Sequence, residues 1–357
     1  MKGPSGHNEI TSAMKILVFG AGAIGGYIGG TLCQAGLDVT LLVRPRVAAR
    51  LEEHGLHLTD YQGKDVHLRE ELQYRESLQD CDPKTDVVLL TVKCTGVAEA
   101  ARELKDWISP HAVVVSLQNG IGSRETVQSI LPHNEVVAGM VPFNVATLEA
   151  GRLHRGTEGE LLVEGHGKLV PLLDAWQACG VPAHSTQDFQ SVAWGKLLLN
   201  LNNAVNALAG VPLVEELTQR PYRQVLSACM RELLRALKKA GIQPAKISKA
   251  PPFLIPWILI LPNWLFKVFA RAMLAIDPLA RSSMWDDLER GRETEIEYLN
   301  QAVVNLAQQY GVAAPVNRDI VLLIKEAQNQ GQGSPQIPAE ELKARLLPRV
   351  NRFLGIF

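Results

Sequence analysis

Lys15-Ile-Leu-Val-Phe-Gly-Ala-Gly-Ala-Ile-Gly-Gly26, followed one helix-length later by Val39-Thr-Leu-Leu-Val-Arg44, is the stretch that decides the fold. A short apolar strand enters Gly20-x-Gly22-x-x-Gly25, a helix opens there, and a second strand ends in arginine. Gly20 permits the tight turn, Gly22 lets a pyrophosphate approach the backbone, and Gly25 lets helix and strand pack closely. The helix N-terminus then turns free N–H groups toward the phosphates. Gly20, Gly22, Ala23, Ile24 and Gly25 are therefore the expected cradle of a dinucleotide. An NAD site usually closes its second strand with Asp or Glu, to bond the ribose 2′-OH. Here Arg44 stands in that place, with Arg46 two residues on. A guanidinium pairs with a phosphate where a carboxylate would repel it. The expected cofactor is NADP, as NADPH.

At 357 residues the chain has room for two domains, and its 46% apolar content is ordinary for a globular protein. The net charge of −1 supplies no broad basic field to recommend nucleic acid or an anionic membrane. Five scattered cysteines without a CxxC fit a reduced, cytoplasmic protein and offer no zinc site; no metal is expected. Residues 1–13 are polar, have no apolar signal core and read as a flexible extension. Phe253 to Ala270 is very apolar, but Pro251, Pro252, Pro256 and Pro262 interrupt it, so no membrane span is expected. It reads as irregular, partly buried core or a subunit contact suited to a homodimer, with peripheral membrane contact as the alternative.

Between residues 14 and 187, strand candidates alternate with helices: Lys15–Gly20, Val39–Val43, Val87–Val92, Val113–Leu117, Val136–Val141 and a later β-rich piece, Gly159–Gly165. Near-continuous apolar runs of this kind predict a parallel sheet buried on both faces. From Asp188 the pattern turns helical, over Gln190–Leu208, Pro221–Ala240, Ser283–Tyr310 and Asn317–Gln328. A Gly/Gln/Ser/Pro-rich stretch, Asn329–Pro338, precedes a short C-terminal helix or tail. The expected class is α/β: an N-terminal doubly wound Rossmann-type domain (14–187), an all-α C-terminal domain (188–330), and a tail (331–357). Ligands in such sheets sit beyond the carboxyl ends of the strands. Gly20–Gly25, Arg44, Lys93 and Asn119 are thus expected along one crevice, Lys93 aiding phosphate or substrate and Asn119 facing the ligand.

A nicotinamide dinucleotide supplies hydride, and the protein must then protonate the emerging alkoxide. All nine histidines lie at or before His184, so an acid in the helical domain must be of another type. Lysine serves if desolvation or a neighbouring cation lowers its pKa. Trp194-Gly-Lys196-Leu-Leu-Leu-Asn200-Leu-Asn-Asn203 places Lys196, Asn200 and Asn203 on one helix face. Such residues either meet water or bind something. Ser282-Ser283 reads as a helix start followed by acids. Glu295 comes twelve residues after Ser283, with Gly291 one turn before it. Capping and solvated charge explain these equally well without function.

Taken together, Gly20–Gly26, Val92-Lys93, Gln118-Asn-Gly120, Trp194-x-Lys196-x-x-x-Asn200, Ser282-Ser-Met284 and Thr294-Glu-Ile-Glu-Tyr-Leu-Asn300 resemble the ketopantoate reductase (2-dehydropantoate 2-reductase) family, from Met14 to about Gln328. The resemblance implies NADPH-dependent reduction of the 2-oxo acid ketopantoate to pantoate, in the route to pantothenate and coenzyme A. It implies Lys196 as general acid and Glu295 on the substrate hydroxyl. Ser283 and Asn119 would lie near the substrate carboxylate, and Asn200 would orient the substrate. Gly20–Gly25, Arg44 and Lys93 would hold the cofactor. The family's second helix asparagine, eight residues after the lysine, is Ala204 here, which leaves the substrate open. The rival readings are a reductase of another branched 2-oxo acid and a dinucleotide-sensing binding protein; Lys196 and Glu295 together speak against the sensor.

Overall fold

Phe19, the last residue of the first strand, is level with Leu42 on one neighbour and Leu90 on the other, so three strand ends stop together at the glycine turn. This computed structural model describes residues 14–248, 250–269 and 279–347. Residues 1–13, the end of the apolar segment at Ala270 and the last part of the expected tail lie outside that range. The described residues cluster into two units: one runs from Met14 to Val92 and adds Gly96–Gln118 and Arg124–Gln187, the other holds Lys93–Thr95, Asn119–Ser123 and the described residues from Asp188 on.

The strands of the first unit are β1 (Lys15–Phe19), β2 (Asp38–Leu42), β3 (Leu56–Asp60), β4 (Asp65–Leu68), β5 (Gln73–Arg75), β6 (Val87–Leu90), β7 (Val113–Ser116), β8 (Glu135–Met140), β9 (Val145–Thr147), β10 (Arg152–Arg155), β11 (Leu161–Glu164) and β12 (Ala183–Thr186). Eight of them form a sheet in the order β12-β11-β8-β7-β6-β1-β2-β5. It is parallel from β8 to β5, with β11 antiparallel to β8. The chain runs from β1 to β2 on one side and resumes with β6 on the other, so the order reverses at β1. Alternate residues feed two separate cores: Ile16, Val18, Val87 and Leu89 enter one, Leu17, Phe19, Val88 and Leu90 the other. Burial on both faces is why these strands read as unbroken apolar runs.

The expected strands are all present: β2 and β8 each begin and end one residue earlier than expected, β1, β6 and β7 stop one or two residues short, and the Gly159–Gly165 piece narrows to Leu161–Glu164. A second sheet, β4-β3-β10-β9, was not expected. Its strands alternate apolar and polar in short pieces. Leu56, Leu58 and Leu153 point to the helix Ala23–Gln34, where an added Cβ on Gly26 would lie 2.8 Å from Leu153 and one on Gly30 2.5 Å from Leu56. His57 and His67 stack across β3 and β4 with centroids 3.7 Å apart, and His57 Nε2 is 2.7 Å from Asp65.

The described elements of the second unit are helical. Arg220–Ala240 and Pro315–Gln330 run through its core, each with proline in the first turn, where its missing N–H costs no helical bond. Gln190–Leu208 becomes Phe189–Asn200 and Asn202–Ala209, joined at Leu201. The single helix expected over Ser283–Tyr310 is divided instead into Ser283–Glu289, a 3-10 turn Ile296–Tyr298 and Asn300–Gln309. Gly291, at φ +60°, ends the first piece, with Arg292 N–H donating to Asp287 O at 2.8 Å. Of the short C-terminal helix or tail expected after Asn329–Pro338, the helix is present, and it belongs to the core as far as it is described. Helix Ala339–Leu346 packs on Arg220–Ala240 and buries Leu342 and Leu346.

Helix Pro315–Gln330 has no side-chain cap of its own. Glu232 supplies one from the helix Arg220–Ala240: its carboxylate accepts from Val316 N–H and Asn317 N–H at 3.0 Å and from Asn317 Nδ2 at 2.8 Å. The group is buried, and desolvation raises its pKa. Glu232→Ala strands three donors in the core, and we expect a loss of at least about 2 kcal/mol. Urea unfolding measures it; an unchanged midpoint would remove the tie from the list of stabilising contacts.

Candidate functional site

In the first unit the glycine turn has the shape its sequence implies. Gly20 adopts φ +89°, and a Cβ there would lie 2.5 Å from Val92 Cγ1. A Cβ on Gly25 would lie 2.2 Å from Thr91 Oγ1, while Thr91 donates that hydroxyl to Phe19 O and Gly20 O. Gly22 is different: only Gly20 O, at 3.9 Å, is near its missing Cβ. Ala23 and Ile24 then open the helix, whose N-terminus has no side-chain cap. Space beside Gly22 and uncapped N–H groups fit a phosphate. Arg44 follows the end of β2 with Val43 between, stands at the N-cap of helix Pro45–His54, and is exposed.

The second unit gathers the titratable groups. Lys196 projects from helix Phe189–Asn200, whose start is capped by Asp188 accepting from Ser191. Gly195 beside it has no room for a side chain: Ala245 O would be 2.4 Å from a Cβ, and Ala245 N–H donates to Ser191 O. The loop around Ala245 therefore lies directly on the helix. Lys196 keeps some accessible surface yet is enclosed by protein on most sides. Desolvation pulls its ammonium down to about 8, opposed first by Glu295 and then by Cys94.

Glu295 is held through its own backbone neighbours. Thr294 donates N–H and Oγ1 to Gln328 Oε1 at 2.9 and 3.1 Å. Glu295 Oε1 accepts from Cys94 N–H at 3.3 Å. Cys94 is buried and donates its thiol to Asn119 O at 2.8 Å; desolvation and the Glu295 charge push that thiol well above its usual range. Gly120, at φ +81°, would bring a Cβ within 2.4 Å of Tyr298 O, the carbonyl that receives Ile121 N–H. The Lys93–Thr95 and Asn119–Ser123 segments are thus bonded to the 294–298 turn that carries Glu295.

The sequence-derived candidates sort into two groups. Gly20, Gly22, Ala23, Ile24, Gly25 and Arg44 lie in the first unit; Lys93, Asn119, Lys196, Asn200, Asn203, Ser283 and Glu295 lie in the second. Lys93 Nζ is paired with the buried carboxylate of Asp287 at 2.5 Å, which also receives Arg292 at 2.9 Å. Gln118 is a structural tie, donating to Leu90 O and Val92 O. Asn119 is exposed; Asn200 and Asn203 are half-buried. Ser282 caps helix Ser283–Glu289 by accepting from Trp285 N–H, while Ser283 is exposed on its first turn.

Several supporting residues escaped the sequence reading. Cys94 follows Lys93 directly, but a lone cysteine gives no signal of this kind. Asn206, three residues past Asn203, accepts from Ser282 N–H and donates to Glu216 at 2.8 Å. Glu216 is buried, and desolvation raises it to about 8, against the hydrogen bond from Asn206 that favours its charged form.

Comparison with known proteins places these features in context. The model of "Ketopantoate reductase PanE/ApbA" matches residues 16–167, and that of its C-terminal part matches residues 188–328. A 2-dehydropantoate 2-reductase of Halobacterium salinarum is 27% identical over 89% of this chain and 100% of its own length. The crystal structure of a PanE/ApbA family ketopantoate reductase from Ralstonia eutropha JMP134 superposes with a TM-score of 0.75 and 27% identity, covering 89% of this chain and 100% of that one. D-mandelate dehydrogenase, in a complex with NADH and anilino(oxo)acetate, shares the fold at a TM-score of 0.70 and 22% identity, over 89% and 99% of the chains.

The Lys196 environment has a direct check. Glu295 is the first of the groups that raise its pKa, so Glu295→Gln should move the amine below about 8. The pH dependence of amine acylation at Lys196, followed by mass spectrometry, reads this. A rise on substitution would show that Glu295 is not the carboxylate the ammonium feels.

Proposed function

The chain belongs to the ketopantoate reductase family, and we propose that it reduces ketopantoate to pantoate with NADPH. It is an oxidoreductase acting on a carbonyl–alcohol pair. The observation that carries the proposal is the pairing of a desolvated lysine near pKa 8 with a backbone-anchored glutamate. At neutral pH Lys196 is mostly an ammonium, yet its surroundings favour the neutral amine. It therefore has a proton to give and gains by giving it.

The bound dinucleotide supplies hydride to C2 of the 2-oxo acid. Lys196 first draws the carbonyl oxygen with its charge and then donates its proton to that oxygen as negative charge develops there. The product is the 2-hydroxy acid, and the lysine is left neutral in the environment that prefers it so. Glu295 accepts from the substrate hydroxyl and, by its charge, keeps Lys196 from being deprotonated too early. Asn119, Asn200, Asn203 and Ser283 are the proposed carboxylate and orienting contacts. Gly20, Gly22, Ala23, Ile24 and Gly25 would hold the pyrophosphate, and Arg44 the 2′-phosphate. Lys93 is the further proposed cofactor contact, though in this structure Asp287 engages it. Space beside Gly22, uncapped N–H groups and an exposed guanidinium support this fit.

A second reading keeps the reaction and changes the acid. Ala204 replaces an asparagine of the family pattern and is fully buried. A pocket built with one fewer polar contact discriminates differently. Comparing kcat/KM for ketopantoate with that for other branched and aryl 2-oxo acids separates the two.

NADPH oxidation with ketopantoate is the primary test; turnover with no acid on the panel would overturn both readings. Lys196→Ala should lower kcat at least about a hundredfold, the scale of a positioned acid. In the reductive direction kcat/KM should fall as pH rises through about 8, because the required form is the protonated one. A rate that climbs over that range would exclude Lys196 as the acid. Arg44→Asp should weaken NADPH far more than NADH, whereas an unchanged preference would remove the phosphate role.

A further inference from the structure

From Arg220 to Ile276 the sequence holds ten of the chain's 36 basic residues and one of its 37 acidic residues, Glu232. That carboxylate is turned inward onto Val316 and Asn317. The near-zero net charge of the whole chain therefore hides a strongly basic region. Its cations line one face of helix Arg220–Ala240 at helical spacing. Arg220 donates to Ile260 O. Arg223, fully buried, donates to Leu217 O, Leu259 O and Leu261 O and lies 4.0 Å over the Phe266 ring. Ser227 donates to Pro256 O, Arg231 lies 5.9 Å over Trp257, and Arg235 follows one turn on, exposed.

This stripe fastens down two short helices, Ile255–Leu259 and Asn263–Phe269. Their inner faces bury Ile255, Leu259 and Phe266. Their outer faces, with the turn before them, present large apolar groups to solvent: Phe253, Trp257, Trp264, Val268 and Phe269 are 56–71% exposed, with Lys267 among them. Folding gains nothing from exposing two tryptophans and two phenylalanines together, so the face is built to meet something.

We propose that this face is a peripheral attachment site for an anionic phospholipid bilayer. Indole rings suit the headgroup boundary, where one side of the ring is apolar and the other wet. Basic residues around them complement an anionic leaflet. Pro251, Pro252, Pro256 and Pro262 keep the helices too short to span, and among the described residues no helix is long and apolar enough to cross a membrane. A second copy docked face to face would bring the basic groups Arg231, Arg235 and Lys267 toward the same basic groups of its partner, which like charge opposes.

The test is co-sedimentation of the full chain with vesicles of phosphatidylcholine alone, or with about one-third phosphatidylglycerol. We expect binding to the anionic vesicles only, weakened at least about tenfold in molar salt. A blue shift of tryptophan emission should accompany it. The Trp257→Ser, Trp264→Ser double variant and Lys267→Glu should each lose at least about tenfold in partitioning, with circular dichroism and NADPH oxidation in solution unchanged. Failure of the folded wild type to bind anionic vesicles overturns the proposal. So does equal binding by the double variant, or a dimer in sedimentation that the double variant dissociates while vesicles stay bare.

Discussion

The candidate site depends on one electrostatic balance: an ammonium taken out of water and a carboxylate kept near enough to stop it from losing its proton. Neither half is free to drift. Gly195 lets the loop around Ala245 lie directly on the lysine helix. The glutamate sits on a turn anchored by Gln328 through Thr294 and by the backbone of Cys94. If the carboxylate moved away, burial would pull the lysine's pKa lower still; with more water, it would return toward that of an ordinary surface amine. The backbone bonds matter because the interaction is graded with distance.

The glycine turn and the strands around it were legible because they obey strong local rules. A sheet buried on both faces leaves unbroken apolar runs, and Gly20, Gly22 and Gly25 each answer a separate steric demand. The second sheet was not legible. His57, His67 and His154 interrupt its strands with polar residues, and its apolar half makes sense only once Gly26 and Gly30 offer a groove. The division of Ser283–Tyr310 was hidden for a related reason. Helical periodicity continues across Gly291, where a left-handed turn ends the first piece, and across Leu299, whose non-helical backbone separates the other two.

The proposed reactive pair was named from the sequence, while the residues that hold it were not. Lys196 stood out as a charged residue on an apolar helix, and Glu295 only through the family resemblance. Cys94 contributes through its backbone N–H and a buried thiol, and a backbone donor leaves no trace in residue type. Asp287 looked like a first-turn helix acid, but it is buried between Lys93 and Arg292. Glu216 was hidden among surface-like acids, although it is buried and holds Asn206, which fixes the start of the Ser283 helix.

The C-terminal helix Ala339–Leu346 has a consequence for how the molecule comes into being. Its leucines complete the core in which Arg220–Ala240 lies, and Tyr222 donates its hydroxyl to Ile337 O at 2.7 Å. Contacts spanning more than a hundred residues of sequence must wait for almost the entire chain to be synthesised. The nucleotide-binding half, whose strands are complete by Thr186, has no such delay. On the ribosome, then, the early half can fold while the long helix remains an exposed amphipathic rod. The nascent chain passes through a stage at which protection by a chaperone matters most.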